Sequence, residues 1–320
     1  MNIVYLGSGE FGIPSLDALA KSSHTLRFIV TQPPQPAGRG RTPNPTPVAH
    51  WAAAHSIPFI ETEDVNAPQI IEKIAGFHPD LIVVVAFGQK VGIVLTSLPP
   101  KGAINVHASL LPKYRGAAPI NWAIINGETQ TGISIITIAE KMDAGKILAQ
   151  VATDIAPSET AGELHDRLAQ MAAPLLLKTL DQIADGTAVY TEQDHSKVTL
   201  APKLKKSDGF LDFTAPAESL RRKILGLWPW PGASASYVSK KTGKSVRVTI
   251  AMAEIVNTSN LSSLPAGTLD ENLNVLCGQN ALKITKIKPD GSRLMDFKDF
   301  ANGRHTQPGD ILTKIDNAKA

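Results

Sequence analysis

Leu81-Ile82-Val83-Val84-Val85-Ala86 is an unbroken apolar run, preceded by His78-Pro79-Asp80 and followed by Phe87-Gly88. A strand with one wet face alternates apolar and polar residues. A strand without alternation is covered on both faces, as in a parallel sheet flanked by helices. The run therefore predicts the centre of an α/β sheet, and the sequence on either side reads as the layers that cover it.

Upstream, Ile3–Leu6 is a short apolar strand ending at Gly7-Ser8-Gly9, followed by a helical stretch from Ile13 to Ala20 and a second strand, Leu26–Thr31. Gln32–Pro47 is so rich in proline and glycine that it predicts a surface loop without helix or sheet. A helix at Val48–His55, a strand at Pro58–Ile60 and a helix at Ala67–Ala75 lead back to the central run. Downstream come a strand at Ala103–Val106, a helix near Ala117–Asn126, strands at Gly132–Ile138 and Ile147–Asp154, and a long helix from about Thr160 to Ala184. This alternation predicts a doubly wound, mainly parallel, Rossmann-like sheet over residues 1–190.

The texture then changes. Residues 191–207 are polar and basic and read as a linker. Beyond them, over 208–320, Tyr237, Val246–Ile250, Gly267–Leu269, Val275–Leu276, Leu282–Ile287 and Asp310–Leu312 are short strand signals separated by turns, with one helix at Ala217–Gly226. Many short strands around a small core predict a compact C-terminal β-barrel, similar to the oligonucleotide-binding type.

Net charge is only +3 over 320 residues, so overall charge selects no partner. Its distribution is uneven: Ser196 to Arg247 holds eleven Lys and Arg against Asp208, Asp212 and Glu218. Such a block fits contact with nucleic acid, and equally a solvated surface. The single cysteine, Cys277, excludes an internal disulfide and a multi-thiolate zinc site, and fits a reducing compartment. Its apolar neighbours predict a buried structural thiol. The histidines lack ligand spacing, so no metal is expected. No signal peptide is visible and no apolar run approaches the ~20 residues of a membrane span, so a cytoplasmic protein without membrane contact is expected.

Gly7-Ser8-Gly9-Glu10-Phe11-Gly12 matches the dinucleotide fingerprint, but the second strand ends in Thr31-Gln32-Pro33, with no carboxylate for a ribose. The glycines then serve a tight turn, and a nicotinamide oxidoreductase is disfavoured. A stronger signal is Asn105-Val106-His107. The two polar residues end a strand on one face, at the carboxyl edge where such sheets bind ligands. An imidazole can relay a proton and an amide can meet an oxyanion, which suits acyl transfer; the same pattern also occurs as ordinary hydrogen-bonded strand-end residues. Asp143, in Lys141-Met142-Asp143-Ala144-Gly145, is a turn residue unless folding brings it to His107.

Asn105-Val-His107-Ala-Ser109-Leu-Leu-Pro112, followed by Arg115-Gly-Ala-Ala-Pro-Ile120, resembles the folate-dependent formyltransferases. The Pro-Ala-Gly-Arg-Gly of the Gln32–Pro47 loop, Met142–Gly145, Trp228-Pro-Trp-Pro231 and Pro308-Gly-Asp310 extend the resemblance along nearly the whole chain. It implies a catalytic set of Asn105, His107 and Asp143. It also implies a folate site lined by Ser109, Leu110, Leu111 and Pro112, with Val84, Val85, Ala86, Phe87 and Gly88 beside the pteridine. The co-substrate so implied is 10-formyltetrahydrofolate, and the acceptor is methionine on initiator tRNA. Arg39, Arg41, Lys203, Lys205 and Lys206 are the expected tRNA contacts, and a monomer is expected. Two departures are Ala108, where many relatives carry glycine, and Lys205-Lys206-Ser207 in the linker. Other members use an amino-sugar nucleotide or another small amine as acceptor. A non-catalytic RNA-binding protein would explain the barrel and the basic block but leave the three polar residues without a purpose.

Overall fold

The protein is described by a computed structural model covering residues 1–37, 42–258 and 264–315. It divides into two compact units. The first comprises Met1–Pro119, Gln130–Asp154 and His165–Pro202; the second comprises Ile120–Thr129, Ile155–Leu164 and Lys203–Ala320.

The first unit is built on a seven-stranded sheet. From one edge to the other the strands are Ile147–Asp154, Gln130–Thr137, Ala103–His107, Leu81–Val85, Asn2–Gly7, Thr25–Thr31 and Phe59–Glu61. The last five run parallel; Gln130–Thr137 lies antiparallel beside Ala103–His107, with Ile147–Asp154 antiparallel to it. All five residues of Leu81–Val85 are buried, as the missing alternation requires. Val4, Leu6, Phe28, Val30, Ile82 and Val84 share one face and pack with Ile70 and Ile74 of the helix Pro68–Ala75. Their alternates Ile3, Tyr5, Ile29, Val83 and Val85 are equally buried, so both faces are covered. On the helix Ala161–Ala184, Leu168, Ala172, Leu176 and Leu180 recur every fourth residue and are fully buried.

The Gln32–Pro47 stretch is more ordered than its composition predicts. Gln35–Ala37 and Thr42–Asn44 form a short antiparallel ladder, and Pro47 opens the next helix. Its prolines fit because a ribbon of two edge strands leaves outward positions that need no amide donor, and Pro at the first helical turn sacrifices no intrahelical bond.

The second unit is a barrel. Its strands run Val275–Leu276, Ala281–Pro289, Ser245–Val256, Ala233–Val238, Ile311–Thr313. Residues 267–269 close the ring. The Leu312 amide donates to the Gly267 carbonyl at 2.8 Å, and the Gly267 amide donates to the Leu276 carbonyl at 2.7 Å. Gly267 has φ +91°, and a Cβ there would lie 2.2 Å from the Leu312 carbonyl oxygen, so this closure needs glycine. The helix Ala217–Leu227 inserts Leu220 and Ile224 into the barrel core, and a helix absent from the sequence reading, Phe297–Arg304, adds Phe297 and Phe300.

Candidate functional site

The strand Ala103–His107 carries Asn105 and His107 to the carboxyl edge of the sheet. Its register sets Asn105 beside Val84 on one neighbour and Ile136 on the other, with His107 opposite Ser134. The period of two puts both polar side chains on one face, while Ile104 and Val106 are buried.

Asp143 arrives from the loop that joins the two antiparallel edge strands. Its Oδ1 accepts from Asn105 Nδ2 at 3.5 Å, its Oδ2 accepts from the Gly116 amide at 2.8 Å, and Oδ2 faces His107 Nδ1 at 3.7 Å. The His107 and Asp143 side chains are only 6% and 12% exposed. The three residues singled out in the sequence thus meet.

The ring orientation of His107 has a separate origin. Its Nε2 lies 2.9 Å from the Tyr114 carbonyl oxygen, which can only accept, so Nε2 carries a hydrogen. In the neutral imidazole the lone pair is therefore on Nδ1, the nitrogen that faces Asp143. The resemblance suggests Asp143 as the group that orients the ring; a backbone carbonyl performs that task, which frees Asp143 and His107 Nδ1 for proton exchange.

The Asp143 loop is itself held. Asp143 has φ +52°, a left-handed conformation that a non-glycine residue keeps only when its surroundings enforce it. Gln193 supplies part of that enforcement: its Nε2 donates to the Asp143 carbonyl at 2.8 Å and to the Gly145 carbonyl at 2.7 Å. Its Oε1 accepts from Arg115 Nε at 3.2 Å and Nη2 at 2.7 Å. In the sequence Arg115 stands out only as part of a motif and Gln193 lies in the presumed linker, so neither is singled out there.

Ser109, Leu110, Leu111 and Pro112 form a turn fixed to the neighbouring strands. Ser109 Oγ donates to the Lys113 carbonyl at 2.7 Å, and Ser134 Oγ donates to the Ser109 carbonyl at 2.6 Å. Gln150 Nε2 donates to the Leu111 carbonyl at 3.0 Å. The Ser109 hydroxyl is buried and engaged, so it cannot serve as a nucleophile. Of the run Val84–Gly88, the Val84, Val85 and Phe87 side chains are buried, while Ala86 and Gly88 are exposed. Both exposed residues have positive φ, so the chain there presents small, backbone-dominated surface that a flat ring can approach.

Lys203, Lys205 and Lys206 are exposed. Arg39 and Arg41 lie outside the described residues. Among the described residues no group of three His, Cys, Asp or Glu is placed to hold a metal ion, and no helix is long and apolar enough to cross a membrane.

The formyl transferase family model matches residues 1–180, and the formyl transferase C-terminal domain model matches residues 203–305. The chain belongs to the formyl transferase family. Its curated relatives include the methionyl-tRNA formyltransferase of Citrifermentans bemidjiense, 40% identical over 99% of this chain and 98% of that protein. That of Geotalea uraniireducens is 40% identical over 99% of each. Among solved structures, a sugar 3N-formyl transferase with dTDP and 5-N-formyl-THF has a TM-score of 0.64 at 13% identity, covering 92% of this chain and 99% of that one. HypX from Aquifex aeolicus with tetrahydrofolic acid has a TM-score of 0.60 at 16% identity; 93% of this chain is covered, but it spans only 46% of HypX. At these identities the structures establish the fold.

Proposed function

We propose that this enzyme transfers the formyl group of 10-formyltetrahydrofolate to the α-amino group of methionine on initiator tRNA, with Asn105, His107 and Asp143 as its catalytic residues. The observation that carries this reading is their convergence at the carboxyl edge of the sheet. End-to-end likeness to methionyl-tRNA formyltransferases supports the acceptor.

The amine must be neutral to attack the formyl carbon, and the nitrogen must lose a further proton once the new C–N bond forms. Asp143 and His107 Nδ1 face each other and share that task, one accepting the amine's proton while the other delivers one to the departing N10. The Asn105 amide donates to the oxygen that gains negative charge, where fixed donors in a partly buried site act strongly. Both reactants are held together, so no formyl-enzyme is needed and kinetics are sequential.

The exposed backbone at Ala86 and Gly88 and the turn Ser109–Pro112 receive the folate. The exposed Lys203, Lys205 and Lys206, with Arg39 and Arg41, take tRNA phosphates. In this reading residues 1–190 are the catalytic domain, 191–207 join it to the barrel, and 208–320 bind tRNA; the enzyme works as a monomer in the cytoplasm.

The test is formyl transfer from 10-formyltetrahydrofolate to methionyl-initiator tRNA, beside free methionine and an amino-sugar nucleotide. Transfer confined to charged tRNA, with Asn105→Ala lowering turnover by about 10²–10³, is the expected result. Preference for the sugar would keep the chemistry and overturn the acceptor. Full activity of Asn105→Ala would overturn the site.

A further inference from the structure

We propose that Gln193, clamped by Arg115, is a positioning residue for formyl transfer: its amide fixes the backbone of the Asp143 loop so that the carboxylate meets Asn105, His107 and the Gly116 amide. This rests on reading those three side chains as the reacting groups.

Gln193 belongs to a segment between the two family-model matches, in sequence a linker. In the fold, residues 191–201 form a strap over the loops that build the site. At one end Thr191 and Ile147 exchange backbone hydrogen bonds of 2.8 and 2.9 Å, holding the base of the Asp143 loop. At the other, Leu200–Ala201 pairs in parallel with Arg115–Gly116, and Thr199 Oγ1 accepts from the Tyr114 amide at 2.9 Å. That second turn supplies both backbone groups that hold the catalytic side chains, the Tyr114 carbonyl on His107 and the Gly116 amide on Asp143.

Gln193 is the one point where the strap enters the interior. Residues 191–197 are all exposed except Gln193, which is 4% exposed. Its amide is fully committed: two N–H groups serve the Asp143 and Gly145 carbonyls, and its oxygen takes two guanidinium donors. A flipped amide would turn its oxygen toward two carbonyls and its NH₂ toward Arg115, so the orientation is fixed.

The chemistry calls for a neutral amide in particular. Arg115 is buried, and glutamate at 193 would satisfy it as well or better. An ionised carboxylate, however, has no hydrogen for the loop carbonyls and would add negative charge beside Asp143. Glutamine alone joins an oxygen for the guanidinium to two donors for the left-handed turn. Gln193→Glu therefore separates positioning from folding, because it preserves volume and the pairing with Arg115 while removing both donors.

The experiment is single-turnover formylation of methionyl-initiator tRNA with enzyme in excess. It compares wild type, Gln193→Glu, Gln193→Ala, Asp143→Asn and the double variant Gln193→Glu/Asp143→Asn, and measures melting temperature and affinity for 5-formyltetrahydrofolate for each. The expected result is that Gln193→Glu stays folded, keeps folate affinity within about twofold, and loses about 10² in rate, the cost of an ångström-scale misplacement. In the Asp143→Asn background the same change should cost less than about threefold, since the group it positions is already disabled. Gln193→Ala should reproduce the rate loss without the added charge. Equal losses in both backgrounds, or a wild-type rate in Gln193→Glu beside a crippled Asp143→Asn, would overturn the role of Gln193 alone. Wild-type activity in Asp143→Asn would overturn the reading of the site and this proposal with it.

Discussion

Gly145→Ala perturbs the same loop from its far end by steric means. A Cβ at 145 would lie 1.7 Å from the Thr137 carbonyl oxygen and 2.7 Å from Thr137 Oγ1. The obstacle is backbone in a strand bonded on both sides, so the loop must yield. Reaching 3.0 Å, below which real Cβ atoms are essentially never found, takes a displacement of roughly 1.3 Å, enough to cost about 10² when it misplaces a catalytic group. Turnover should therefore fall about 100-fold, or about 2.7 kcal/mol in barrier height. Forcing the methyl into packed surroundings should also cost about 1–3 kcal/mol of stability, seen as a melting temperature lower by several degrees. Ala86, Gly88 and the Ser109–Pro112 turn lie outside the displaced loop, so folate affinity should hold within about twofold. Stopped-flow formylation at saturating folate, with calorimetry on the same samples, gives all three quantities. Unchanged turnover with a lowered melting temperature would refute the link between loop position and transfer. So would a loss of folate affinity as large as the loss of turnover.

Two further predictions concern groups away from the reacting centre. Replacing Lys203, Lys205 and Lys206 together by glutamine should raise the KM for charged tRNA and flatten its dependence on the logarithm of salt concentration by about 0.7–0.9 for each phosphate no longer neutralised, with the KM for folate unchanged; an unaltered salt slope would remove these lysines from the tRNA site. Burial pushes the Cys277 thiol up to about 12, so the neutral form persists well above physiological pH. Alkylation at pH 8 should be about 10³ slower than for a free thiol and recover on unfolding, whereas rapid labelling of the native enzyme would show an accessible thiolate.

The α/β layer is legible because its signal is compositional: an unalternating apolar strand such as Leu81–Val85 has one comfortable environment, and the helices flanking it carry clear periodicity. The barrel is legible as a class, and the expected strand at Gly267–Leu269 proves to be the piece that closes the ring. Phe297–Arg304 escapes notice because its helical signal is only a pair of aromatics three residues apart amid charged and small residues, with Gly303 near the end. The Gln35–Asn44 ladder escapes notice because proline weakens strand propensity in general while remaining acceptable on an edge, and sequence does not reveal which positions are edges.

The site divides along a different line. Asn105 and His107 share a strand, so their common face follows from the period of two, whereas Asp143 required a fold to bring it near them. Gln193 shows why even a correct fold class does not complete a site from sequence. Its neighbours Thr191, Glu192, Asp194, His195, Ser196 and Lys197 are exposed, and a polar residue among polar residues carries no signal that its own side chain turns inward. A searchable trace does exist on the partner side. Arg115 follows a strand-end turn and precedes Gly-Ala-Ala, where a long cation has little local apolar surface to lie on and no nearby acid in sequence. A buried guanidinium needs an oxygen from elsewhere in the chain. Asking which distant segment could supply it, before reading that segment as a linker, would direct attention to residues 191–202. The same question applies wherever an arginine stands beside a predicted active-site turn without a local carboxylate.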